Sequence, residues 1–181
     1  MKVVFLLFCC LLSKAVGASE FSTEITNINI EQVADSYELN MDIDFNLSPI
    51  AKEALQKGIA LAWAVKIKVQ QDGVLWDSTL QEVELNYQIQ NHALLNLYSV
   101  RDLNAGNKNM FSTLAGALDF ISKVRSLLLI DKKLIEFDHR YHIAVKVMFE
   151  HESLPVPIRP FSYFDPQWGL SSRWTLWPLQ K

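Results

Sequence analysis

The chain has 181 residues, half of them apolar and one fifth charged, with 17 basic and 20 acidic side chains. That length suits one domain with a sizeable core, and the apolar fraction excludes a disordered chain. The acidic balance and scattered bases speak against a nucleic-acid footprint, and only five glycines beyond residue 18 exclude collagen-like or Gly-rich material.

Residues 1–18 read as a secretory signal peptide. Lys2 gives a short positive start, Val3 to Leu12 is a ten-residue apolar run, and Val16-Gly17-Ala18 supplies small side chains for cleavage after Ala18. A spanning helix needs about 20 apolar residues, and Lys14 interrupts this run too early. The alternative is an uncleaved N-terminus that anchors the protein in the inner membrane. Cleavage removes Lys2, Lys14 and both cysteines, Cys9 and Cys10. The mature chain then carries a net charge near −5 and has no disulfide, thiol nucleophile or thiolate metal site. No later segment is apolar and long enough to span a membrane. The expected setting is the bacterial periplasm.

Residues 19–181 are expected to form a single β-rich domain. Period-two alternation dominates it. Tyr37, Leu39, Met41, Ile43, Phe45 and Leu47 alternate with polar residues, and the pattern recurs in Leu61, Trp63, Val65, Ile67 and Val69. It returns in Val83, Leu85, Tyr87 and Ile89, and in Tyr141, Ile143, Val145, Val147 and Phe149. Strands with one oily face are the habit of antiparallel sheets. Weaker strands are expected at 22–31, 74–80 and 94–101. Asp72-Gly73 predicts a tight primed hairpin turn, Asn91-His92 a second hairpin, and Asn104 to Asn109 an exposed loop.

Two helices interrupt the strands. A short linking helix at about 49–57 is marked by Ser48 as cap, Pro49 at its first position, a Glu53–Lys57 pair and Gly58 as stop. A long covering helix at about 112–129 is predicted from the stripe Leu114, Ala117, Leu118, Ile121, Val124 and Leu128. The fold class is therefore mainly β, an antiparallel β-sandwich or open barrel with these two helices. From about residue 154 the chain becomes a Pro/aromatic-rich tail, with five of the six prolines and three of the five tryptophans. Leu154-Pro155-Val156-Pro157-Ile158-Arg159-Pro160 cannot form a central strand, so an edge segment is expected there.

Candidate chemistry is sparse. His139-x-x-His142, with Asp138, Glu150 and His151 nearby, is the metal-like cluster. Residues three apart on a strand face opposite ways, which favours a solvated strand end. Asp42 with Asp44, and Glu82 with Glu84, are carboxylate pairs on one strand face; bases on the next strand, Lys66 and Lys68 among them, are the expected partners. Ser171-Ser172 lacks a nucleophile-elbow context, and no phosphate-binding or dinucleotide loop occurs. No catalytic, metal or cofactor residue is expected, and the protein reads as non-enzymatic. Phe161, Tyr163, Phe164, Trp168, Trp174 and Trp177 form the candidate interaction surface, either an exposed platform or a tail plugging the end of the sheets.

In this order the motifs resemble a proteobacterial envelope family, domain of unknown function 4390. The resemblance rests on Phe45-x-Leu47-Ser48, Ala54-Leu55-x-x-Gly58-Ile59-x-Leu61, and Phe111-x-x-Leu114-x-x-Ala117-Leu118. Leu154-Pro155-x-Pro157 and Trp168-x-x-x-Ser172-x-Trp174-x-x-Trp177 carry it most specifically. It implies an exported protein often encoded beside a membrane sensor histidine kinase, and hence an envelope protein partner. It supplies no catalytic residues. The leading expectation is a periplasmic binding protein. The alternatives are a carrier of a hydrophobic ligand under the 112–129 helix and a hydrolase with an unrecognised site.

Overall fold

A computed structural model describes residues 21–73, 75–136 and 138–180. The expected signal peptide at 1–18 and the expected cleavage after Ala18 lie outside the described residues. Within them the chain is mainly β, two antiparallel sheets that face each other without closing into a barrel.

The smaller sheet has the order β1-β2-β7, from β1 (Thr23–Val33), β2 (Ser36–Phe45) and β7 (Lys123–Asp131). The larger has the order β6-β5-β4-β3-β8-β9. Its strands are β3 (Leu61–Gln71), β4 (Ser78–His92), β5 (Leu97–Asp102), β6 (Lys108–Phe111), β8 (Tyr141–Phe149) and β9 (Thr175–Pro178). The alternating residues of β2, β3 and β8 point between the sheets, and Leu39, Met41, Val65, Ile67, Ile143 and Val145 are all at most 1% exposed. Each such side chain adds about 1.5–3 kcal/mol of burial, which suits a domain without cross-links. β4 follows the same alternation with only Ile89 fully buried, because the three-stranded sheet is too narrow to cover all six strands.

The linking helix α1 (Pro49–Gln56) forms as its sequence dictates. Ser48 Oγ accepts from Ala51 N at 3.2 Å, Pro49 needs no hydrogen-bond partner, and Gly58 takes φ +81° just past the end. Its Ala51, Ala54 and Leu55 are buried.

The second helix is shorter than the periodicity predicts. α2 (Leu114–Ser122) is capped by Thr113, whose Oγ1 accepts from Gly116 N at 3.1 Å. It packs on β2, β5, β6 and β7 and carries the chain from the larger sheet to the smaller. Residues 123–131 are strand β7, not helix. Two bulges against β2 explain the error. Leu129 is an extra residue between Tyr37↔Ile130 and Glu38↔Leu128, and Arg125 with Ser126 oppose Asn40 alone. Each bulge adds a residue and breaks the period of two, so Val124, Leu129 and Ile130 are the buried positions while Leu128 is exposed. Ser126 adopts φ +47° at the bulge, with its N–H donating to Asn40 Oδ1 at 2.9 Å. Arg125 donates to the Met41 carbonyl at 2.7 Å and pairs with Asp42.

Other boundaries also move. Asp72-Gly73 does lie in the β3–β4 hairpin, but the connection runs from 72 to 77 and is not a two-residue primed turn. Gly73 is required by close approach: a Cβ there would sit 1.8 Å from the Trp76 carbonyl oxygen. The second hairpin turns at Asn96, in the left-handed region at φ +50°, rather than at Asn91-His92. The expected loop at 104–109 gives way to β6 from Lys108. The Leu154–Pro160 run is no edge strand. It forms turns and the single-turn helix α3 (Arg159–Ser162), because Arg159 folds back to donate to the Leu154 carbonyl at 3.0 Å. The edge beside β8 is instead taken by β9.

The tail closes one end of the sandwich. The Leu170 carbonyl accepts from Thr23 Oγ1 of the smaller sheet at 2.7 Å and from Trp63 Nε1 of the larger at 3.3 Å, which staples the two together. Among the described residues no helix is long and apolar enough to cross a membrane.

Candidate functional site

The tail divides its aromatic residues between two environments. Trp168 is 2% exposed and stacks on Phe149 at 5.8 Å, extending a chain of ring contacts through Trp63 to Phe45. Trp177 faces Ile143 across the β8–β9 ladder and is partly buried. These two rings are structural. Trp174 is half-exposed on the outer side of the larger sheet, with Lys68 Nζ 5.6 Å and Lys146 Nζ 5.8 Å from its ring. Those cation–π contacts hold it on the sheet.

Phe161, Tyr163 and Phe164 are turned outward, Phe164 at 88% exposure, and Val156 joins them at 72%. Three aromatic residues within four positions around α3 cannot all face inward, since successive residues rotate by about 100° about a helical axis. What fixes the turn lies beneath it. Ser162 is 2% exposed, donates from Oγ to the Arg159 carbonyl at 2.8 Å, and accepts from His151 Nδ1 at 2.8 Å. The His151 ring stacks on Tyr163 at 4.6 Å and meets Phe149 edge-on at 5.0 Å. Burial lowers the His151 pKa below its ordinary value, so a neutral ring that donates from Nδ1 fits the site. The apolar residues are thus presented on a braced turn.

The remaining serine and carboxylate pairs fall into structural roles. Ser171 and Ser172 accept through their hydroxyls from the backbone N–H groups of Phe149 and Val147, at 2.9 and 2.8 Å, completing the edge of β8 ahead of β9. Glu84 pairs with Lys66 at 3.5 Å and Glu82 with Lys68 at 3.4 Å, the cross-strand partners expected. Asp42 pairs with Arg125 across β2 and β7, and that hydrogen bond holds its carboxyl below the usual range. His139 lies in the bend before β8 and His142 on the strand itself, so strand alternation does not govern the pair. His139 contacts Asp138 and Glu136, whereas His142 turns toward the β3–β4 hairpin and lies 2.8 Å from Asp72.

The sequence missed Val156, which was hidden in the proline run, and it missed the His151–Ser162 brace. The crowding of 161, 163 and 164 was the signal that some rings had to be exposed.

The family model described as Domain of unknown function (DUF4390) matches residues 20–178. No curated protein and no solved structure matches the chain.

Proposed function

We propose, from the premise that this chain belongs to the DUF4390 family, that it is an exported, non-enzymatic binding module of the cell envelope. Its contact surface in this reading is the aromatic turn at 156–164. One observation carries the proposal. Val156, Phe161 and Phe164 are held outward on a turn that a buried serine and a half-buried histidine fix from below. Preorganised aromatic side chains are the usual anchors of protein interfaces, because little entropy remains to be lost on binding. Exposed apolar side chains fit an apolar pocket on a protein surface, and export would make that partner an envelope protein. The neighbourhood implied by the family resemblance makes the outer portion of a sensor histidine kinase the first to test. Export rests on the features of residues 1–18. The carrier reading has less support, since the helix it needs as a lid ends at Ser122.

The test is the affinity of the purified protein for that outer portion. Truncating one interfacial aromatic anchor costs about 2 kcal/mol or more, roughly 30-fold in affinity. Phe161→Ser with Phe164→Ser is therefore expected to weaken binding at least 30-fold, whereas Leu94→Ser, on the exposed β4–β5 turn, leaves it unchanged. Equal affinity of the double variant and the parent would contradict the proposal. The mass of the protein recovered from the periplasm checks export; a chain beginning at Ser19 is expected.

A further inference from the structure

An open cleft of about 890 Å³ lies between the tip of the β3–β4 hairpin and the start of β8. Asp72 and Asp77 line it from the hairpin, His142 from β8 and Trp177 from β9. We propose that His142 Nε2 and Asp77 hold a divalent transition-metal ion of the zinc class in this cleft, with Asp72 orienting the imidazole.

The geometry of His142 carries the argument. Its Nδ1 lies 2.8 Å from Asp72 Oδ1. A carboxylate only accepts, so Nδ1 is the protonated nitrogen and donates to it. The lone pair of the neutral ring then sits on Nε2. That atom is fully buried and has no hydrogen-bond partner. The polar atom it faces is Asp77 Oδ2, at 3.6 Å. Asp77 is partly exposed, whereas Nε2 has no access to water, so its lone pair and the facing carboxylate oxygen repel each other unless a cation lies between them.

Magnitudes separate the two cations that fit the charge. A proton on Nε2 would form an N–H···O bond of about 2.7–3.2 Å, and the observed separation is longer. A tetrahedral zinc-class ion bound at about 2.0–2.2 Å to nitrogen and oxygen places its ligands roughly 3.3–3.5 Å apart. The observed gap is close to that span.

The surroundings match such a site. A carboxylate on the far nitrogen of a ligating imidazole fixes its tautomer and raises its basicity, which is the position of Asp72. Arg140 Nε stands 3.5 Å from Asp72 Oδ2, so the guanidinium offsets the orienting carboxylate and leaves Asp77 its charge. Asp77 is itself fixed, because its Oδ1 accepts from Gly73 N at 3.2 Å. Imidazole favours zinc, copper or nickel over magnesium and calcium. Asp77 is exposed to the open cleft, so water reaches the ion from that side and fills its remaining positions, which makes the ion exchangeable.

Glu136, Asp138 and His139 also bring three ligand atoms within 4.8 Å of one another, and His139 lines the same cleft, so the experiment tells the two sets of ligands apart. Chelator-treated protein is titrated with Zn²⁺ by calorimetry, and the His142 ring nitrogens are followed by NMR in the wild type. One equivalent is expected to bind, with the Nδ1–H tautomer already present and the Nε2 resonance moving on addition of zinc. Asp77→Asn and His142→Gln are expected to weaken binding at least about tenfold. Asp72→Asn is expected to weaken it by about 10–100-fold, and His139→Gln to leave it unchanged. Melting curves of the metal-free variants confirm that they are folded. An Nε2–H tautomer in the free protein, no zinc uptake by the folded wild type, uptake that survives His142→Gln, or uptake lost with His139→Gln would each overturn the proposal.

Discussion

Trp168→Ala separates the structural part of the tail from the presented part. The ring is 2% exposed and stacked on Phe149, at the end of a run of aromatic contacts between the sheets. Truncating a buried aromatic residue costs about 3–5 kcal/mol, because transfer energy is lost and the cavity collapses only partly. In a chain of this size, 1 kcal/mol moves Tm by about 2–4 °C. Trp168→Ala is therefore expected to lower Tm by about 6–20 °C. Phe164→Ala removes a side chain that is 88% exposed, and its effect stays within about 0.5 kcal/mol, under about 2 °C. Thermal unfolding followed by near-UV circular dichroism reads both. If the two variants melt together, or if Phe164→Ala is the more damaging, the division of the tail is wrong.

Three further predictions follow from the backbone and from buried titration. Ser126 pays the left-handed penalty of about 1–2 kcal/mol that any residue with a Cβ meets at φ +47°. Ser126→Gly should hold stability or raise it slightly, while Ser126→Val should fall about 2 kcal/mol below the glycine variant; urea unfolding measures both. His151 has a folded pKa depressed by burial. Its contribution is intact above about pH 6.5, the ordinary value, and is lost as pH falls through the lower folded value, because the unfolded chain binds the proton first. The stability difference between wild type and His151→Gln should accordingly narrow as pH drops below 6.5 in a pH series of urea midpoints. Thr23→Val removes the donor to the Leu170 carbonyl and should cost about 0.5–1.5 kcal/mol, read as a lower urea midpoint.

The sandwich was legible where a single physical rule acted alone. β2, β3 and β8 each keep one face in the core along their length, so alternation was nearly unbroken, and α1 carried its cap, its proline and its glycine stop in eleven consecutive residues. β7 was not legible. Its two bulges moved the buried positions to 124, 129 and 130, and the leucine-rich run continued the stripe of α2 as if the helix had not ended. The hairpin at 72–77 hid its turn chemistry in contacts between Gly73 and Trp76 that no dipeptide rule covers. In the tail, composition marked the aromatic residues but not their sides, since the burial of Trp168 depends on Phe149 and that of Ser162 on His151. The cleft joins Asp72 to His142, 70 positions apart, and only the pairing of β3 with β8 places them together.

Hydroxyl-radical footprinting of the protein, alone and with the outer portion of the sensor histidine kinase proposed as its partner, tests the proposed role of the tail most directly. In the free protein Phe161 and Phe164 should be modified readily while Trp168 and Trp63 stay protected, and the complex should shield the two phenylalanines alone. A Trp168 that reacts as fast as Phe164 would contradict the fold of the tail, and phenylalanines equally reactive in the complex would contradict its role.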